Sequence, residues 1–140
     1  MKTLIVMILM LLSSPSWSCV CNKVSDAVAF EQATSVFIVQ ITSTEFTEVA
    51  GKRVFSYVSA KFRVIETLKG ELDKLKELRS EKGECEFPLL AGELYIVFST
   101  ANDYELLDAC TSSRWLPKSE NNRESTIILR SEKKRLEFTK

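Results

Sequence analysis

Apolar and polar positions change period several times along the chain, and each change marks an element. Residues 35–42 carry Val36, Phe37, Ile38, Val39 and Ile41 almost without interruption. Such a run, rich in β-branched and aromatic side chains, predicts a strand buried on both faces. Residues 53–68 alternate instead. Val54, Val58, Ala60, Phe62, Val64 and Leu68 share one face, with only Ser56 and Glu66 interrupting, while Arg53, Lys61 and Arg63 occupy the other. A period of two predicts a half-exposed strand. The polar stretch between them, residues 44–52 with Gly51, reads as a long hairpin loop.

Upstream, Ser25 offers an N-cap for a short helix carrying Val28, Ala29 and Ala33 toward the core. Lys69-Gly70 ends the second strand. Residues 71–82 are charged, and their pattern allows either a helix or a loop with a short strand near Leu78. Residues 84–88 form a turn segment anchored by Cys85. Residues 93–99 read as a strong strand, and residues 104–109 as a shorter one delivering Cys110. A polar loop over 119–124 leads to a final helix or strand over 125–140 with a basic cluster. Tyr95, Phe98, Phe62 and Trp115 read as core. Several strands with a few helical turns predict a mainly β domain, a small barrel or an α+β arrangement.

The first 18 residues do not belong to that pattern. Lys2, the apolar run over 4–12 and the polar Ser13-Ser14-Pro15 read as a secretory signal peptide, with Ser16 and Ser18 as the small residues before a cut ahead of Cys19. The run is well short of the ~20 residues that span a bilayer, so no membrane span is expected. Lipid attachment at Cys19 is disfavoured by Trp17 and by the missing leucine of a lipid-attachment signal. The expected mature domain is 19–140. Its location is extracellular, or periplasmic if the source is a Gram-negative bacterium.

Composition narrows the function. The chain has 19 basic and 19 acidic residues and no histidine. Without a basic excess, nucleic acid and anionic membranes are not expected partners. Without histidine, the commonest general base and metal ligand are missing. No phosphate-binding loop, nucleophile elbow or metal-ligand spacing occurs, so no enzyme activity and no cofactor are expected. Glu84 and Glu86 read as solvated turn residues. Arg130, Lys133, Lys134 and Arg135 are diluted by Glu132 and Glu137 and read as a solvated face. The four cysteines, Cys19, Cys21, Cys85 and Cys110, all lie after the cut, where export favours disulfides. A bond between Cys19 and Cys21 would close a strained ring, which leaves two long-range pairings open. One long-range crosslink adds ~4 kcal/mol in chain-entropy terms.

The terminus created by the cut carries the remaining chemistry. An α-amino group has a pKa of ~8, so part of it is neutral near pH 7 and can offer a lone pair to a metal. With the carbonyl oxygen of its own residue it forms a five-membered chelate. A catalytic zinc keeps one position open for water or substrate. A rigid Cys19 can take that position, with Val20 entering the adjoining pocket. Read without any resemblance, the cysteines simply stabilise the domain and the terminus is idle.

A set of residues in order shifts that balance. Cys19-x-Cys21, Ala29-Phe30, Ser35 through Val39, Phe62-x-Val64 with Leu68-Lys69-Gly70, Cys85, Gly92-x-Leu94-Tyr95-Ile96-Val97 and Cys110 resemble the netrin-like domain. Within it they resemble the inhibitory N-terminal domain of the tissue inhibitors of metalloproteinases. The resemblance implies a five-stranded OB-like β-barrel with flanking helices and the pairing Cys19–Cys85 and Cys21–Cys110. It implies a monomer that inhibits a zinc metallopeptidase: the Cys19 amine and carbonyl chelate the target's zinc, Val20 fills its pocket, and Cys21, Glu84 and Cys85 complete the contact. The alternative is a netrin-like binding module whose terminus takes no part. The chain departs from the family at Lys23, usually proline, at Glu31, where a third disulfide would begin, and at Val20, usually serine or threonine.

Overall fold

The computed structural model describes residues 19–51, 55–72, 75–100, 103–117 and 123–138; the signal-peptide reading and most of the 119–124 loop lie outside them. The apolar run at residue 35 opens the longest feature of the fold. Strand β1 is Ser35–Val49, and Val36, Phe37, Ile38, Val39 and Ile41 are each no more than 4% exposed. Phe37, Val39 and Ile41 join one core cluster with Ala60, Leu78, Tyr95, Val97 and Leu107. Val36 and Ile38 join a second with Phe30, Leu68, Ile96 and Leu129. Alternate side chains of one strand therefore bind together two cores on opposite faces of a sheet, as the unbroken run predicts.

The element order is α1 (Asp26–Gln32), β1, β2 (Phe55–Lys69), β3 (Glu77–Glu81), β4 (Leu94–Ser99), β5 (Tyr104–Leu106), β6 (Arg114–Trp115) and α2 (Arg123–Phe138). The strands form one sheet, ordered β5-β3-β2-β1-β4-β6. Neighbours are antiparallel except β3 and β5. The β1–β2 register shifts at three places between Val36 and Ser43. Such irregularities bend a strand and raise its twist, and the sheet curls around the first cluster. Helices α1 and α2 cover the second. Among the described residues the fold is mainly β with two flanking helices, and the strands number six where the resemblance implied five.

Several expectations change. Residues 44–49 are not loop: β1 continues through them, pairing Thr44 with Ala60 and Val49 with Phe55. Thr42, Thr44, Thr47 and Val49 are β-branched and suit a strand; their polar alternation reflects exposure. Ser25 caps α1, its Oγ accepting from the Val28 N–H at 3.4 Å. Ala29 and Ala33 are buried, but Val28 is exposed, and Phe30 takes the core position beside them. The undecided 71–82 stretch supplies β3, with Leu78 fully buried. Only residues 104–106 of the next expected strand are extended, and they lie parallel to β3. Trp115 is exposed rather than core, its indole N–H donating to Glu93 at 3.0 Å.

The C-terminal segment is helical, burying Leu129 and Thr126. Part of its basic cluster docks the helix on the sheet. Arg130 pairs with Glu66 at 2.6 Å, and Lys133 Nζ donates to the Thr67 carbonyl at 2.9 Å. The hydrogen bond from Arg130 holds the Glu66 carboxyl below its usual range.

Where β2 ends, Lys69 Nζ donates to the carbonyls of Phe30, Glu31 and Ala33 at 2.7, 2.9 and 2.6 Å, capping the negative end of α1. Gly70 follows with φ +71°, and a Cβ there would sit 2.5 Å from the Thr34 carbonyl oxygen and 2.8 Å from Ser35 Cβ. Both the backbone conformation and the contact exclude a side chain. Gly70→Ala is expected to cost about 3 kcal/mol, measured by urea unfolding.

Candidate functional site

The cysteine-rich start of the domain is fastened at two points. Cys19 bonds Cys85, with Cα atoms 5.7 Å apart, and Cys21 bonds Cys110, with Cα atoms 5.0 Å apart. Of the two long-range pairings the residues left open, this is the one that the resemblance implied. The first bond spans 66 residues and the second 89, so the strip at 19–21 lies across two loops far from it in sequence.

Those loops are tied to each other before the disulfides reach them. Glu86 and Asp108 form an antiparallel bridge, and the Ala109 N–H donates to the Cys85 carbonyl at 2.9 Å. Asp108 Oδ1 accepts from the Cys110 and Thr111 N–H groups at 2.7 and 2.9 Å. This carboxylate-to-backbone turn fixes the approach to Cys110. The Cys85 loop is anchored in turn. Phe87 is buried, and its N–H donates to the buried Ser80 Oγ at 2.8 Å. The Tyr95 hydroxyl donates to the Pro88 carbonyl at 2.9 Å and accepts from the Leu90 N–H at 3.0 Å. Burial pushes the Tyr95 phenol above its ordinary value. Lys82 pairs with Glu86.

On this base Cys19 and Cys21 are half-buried, and Val20 between them is 92% exposed. Glu84, also exposed, precedes Cys85 by one residue. The disulfides thus hold Cys19, Val20 and Cys21 against the loop of Cys85, with Glu84 beside it in the chain. Downstream of the strip, Arg114 grips Asp26 with two hydrogen bonds of 2.9 and 2.8 Å, joining α1 to β6. A groove of about 470 Å³ lies alongside, lined by Lys23, Pro88, Cys110 and Trp115 among others.

Sequence reading did not find Ser80, Asp26, Arg114 or Asp108 as supports. Only Asp108 left a signal, an aspartate two residues ahead of a cysteine. The strip presents one apolar side chain, Val20, between two half-buried cysteines on a braced surface. The chain matches no family model and no curated protein.

Proposed function

We propose that this chain is a secreted inhibitor of zinc metallopeptidases, built on an OB-like barrel and acting through its mature N-terminus. The reading rests on one observation: Val20 stands 92% exposed between two half-buried cysteines, each bonded to a loop that is itself braced. Removal of residues 1–18 frees the Cys19 amine. Amine and carbonyl together occupy the zinc position that water or substrate needs. Val20 enters the neighbouring pocket, and Glu84 and Cys85 extend the contact. Because the strip is ordered before it docks, little conformational freedom is lost on binding.

The chain beginning at Cys19 is expected to inhibit zinc metallopeptidases competitively with substrate and to leave serine peptidases untouched. Steady-state assays over a panel of both classes check this, and a panel with no inhibited zinc enzyme would overturn it. A second reading, a binding module with an idle terminus, draws on Trp115, which is 49% exposed at the groove beside the strip. Such a module keeps its partner when the terminus is extended, whereas the inhibitor does not.

A further inference from the structure

Strand β1 has two different edges. Along its first half it lies between β2 and β4, and the β4 pairing ends at Gln40. Ile41 is served by the 92–93 turn, its N–H donating to the Glu93 carbonyl and its carbonyl accepting from the Gly92 N–H. Beyond it, over residues 42–49, β2 covers one edge and no strand covers the other among the described residues. A row of backbone donors and acceptors there faces outward. Natural sheets blunt such edges with proline, lysine, bulges or very short strands. Past the register shift between Ile41 and Ser43, residues 43–49 run unbroken with no proline and no lysine, with Glu45 and Glu48 as the charges on the edge and Phe46 at 57% exposure.

We propose that a second copy of this chain pairs with that edge, antiparallel about a two-fold axis at Phe46, joining the two sheets. The sequence Ser43-Thr44-Glu45-Phe46-Thr47-Glu48-Val49 is self-complementary about its centre. Phe46 meets Phe46, Glu45 of each copy meets Thr47 of the other, Glu48 meets Thr44, and Ser43 meets Val49. No carboxylate faces a carboxylate, and an aromatic pair sits on the axis, the kind of cross-strand match that stabilises a sheet. The two neighbouring registers that keep equivalent faces aligned are worse. An axis at Glu45 opposes the two Glu45 side chains, and one at Thr47 sets Phe46 against Glu48. A chance exposed edge has no reason to place its two acids only opposite threonines.

Sedimentation velocity over a concentration series tests the pairing. The wild-type chain is expected to move from monomer to dimer as concentration rises. Phe46→Lys sets two ammonium groups together on the axis and is expected to weaken the dimer about tenfold or more. Position is tested separately by oxidation. All four native cysteines are in disulfides, so an added cysteine is the sole free thiol. Phe46→Cys is expected to crosslink two copies, while Ser43→Cys, whose opposite is Val49, is not. A wild-type chain that stays monomeric throughout overturns the proposal, as does a Phe46→Lys chain that dimerises equally well. Extending the N-terminus leaves this equilibrium unchanged, so the outcome is independent of the proposed inhibition.

Discussion

A single alanine placed ahead of Cys19 is expected to abolish inhibition and leave the fold intact. The added residue turns the Cys19 amine into an amide, whose nitrogen has no lone pair to give a metal. It also puts chain where the zinc must approach. Losing a ligand of this kind costs at least ~4 kcal/mol of binding, about a thousandfold in inhibition constant. The fold does not depend on that amine: both disulfides use side chains, and the braces on the 85 and 110 loops are internal to the domain. Thermal unfolding should therefore change by no more than ~0.5 kcal/mol. Inhibition constants and melting curves, measured on the same preparations, separate the two effects. Equal inhibition by the extended chain would end the chelation mechanism.

Replacing Cys21 and Cys110 together by serine is expected to remove about 3.5 kcal/mol of stability. With Cys19–Cys85 in place the bond closes a ring through 19–21 and 85–110, and the chain-entropy estimate for a loop of roughly 27 residues is ~3.5 kcal/mol. Against a total stability of ~5–15 kcal/mol for a domain, the loss is large. The melting temperature should fall by roughly 15 °C. Inhibition should weaken even well below the new midpoint, because Val20 is then held from one side only. Urea unfolding gives the stability change, and assays at low temperature give the change in inhibition. A variant as stable as the parent would mean that the ties between the two loops already constrain the terminus without this crosslink.

How far the sequence predicts these features depends on the range of the interaction responsible. The two-sided burial of β1 is written in five apolar side chains from Val36 to Ile41, because a strand presents alternate residues to opposite faces. The Ser25 cap is equally local. The far half of β1 looks like loop in sequence because its run of threonine, serine and glutamate buries neither face. What makes it strand is its partner, β2, running beside it to Phe55. Parallel β5, the Asp26–Arg114 pair across 88 residues and the exposure of Trp115 depend on which distant segments meet. No window of sequence carries that. Disulfide connectivity lies between these cases: spacing excluded one pairing, and only the resemblance chose between the remaining two.

Lys69 gives the N-terminal strip a second, less obvious fixture. Its ammonium binds three carbonyls at the far end of α1, while the disulfides hold the near end of the same stretch. Residues 19–33 are thus strung like a bow between a covalent clamp and an ionic one. Acylating that single amine would strip the cap from the helix end without touching a cysteine, leaving Phe30 in the core and the Asp26–Arg114 pair to hold α1 in place.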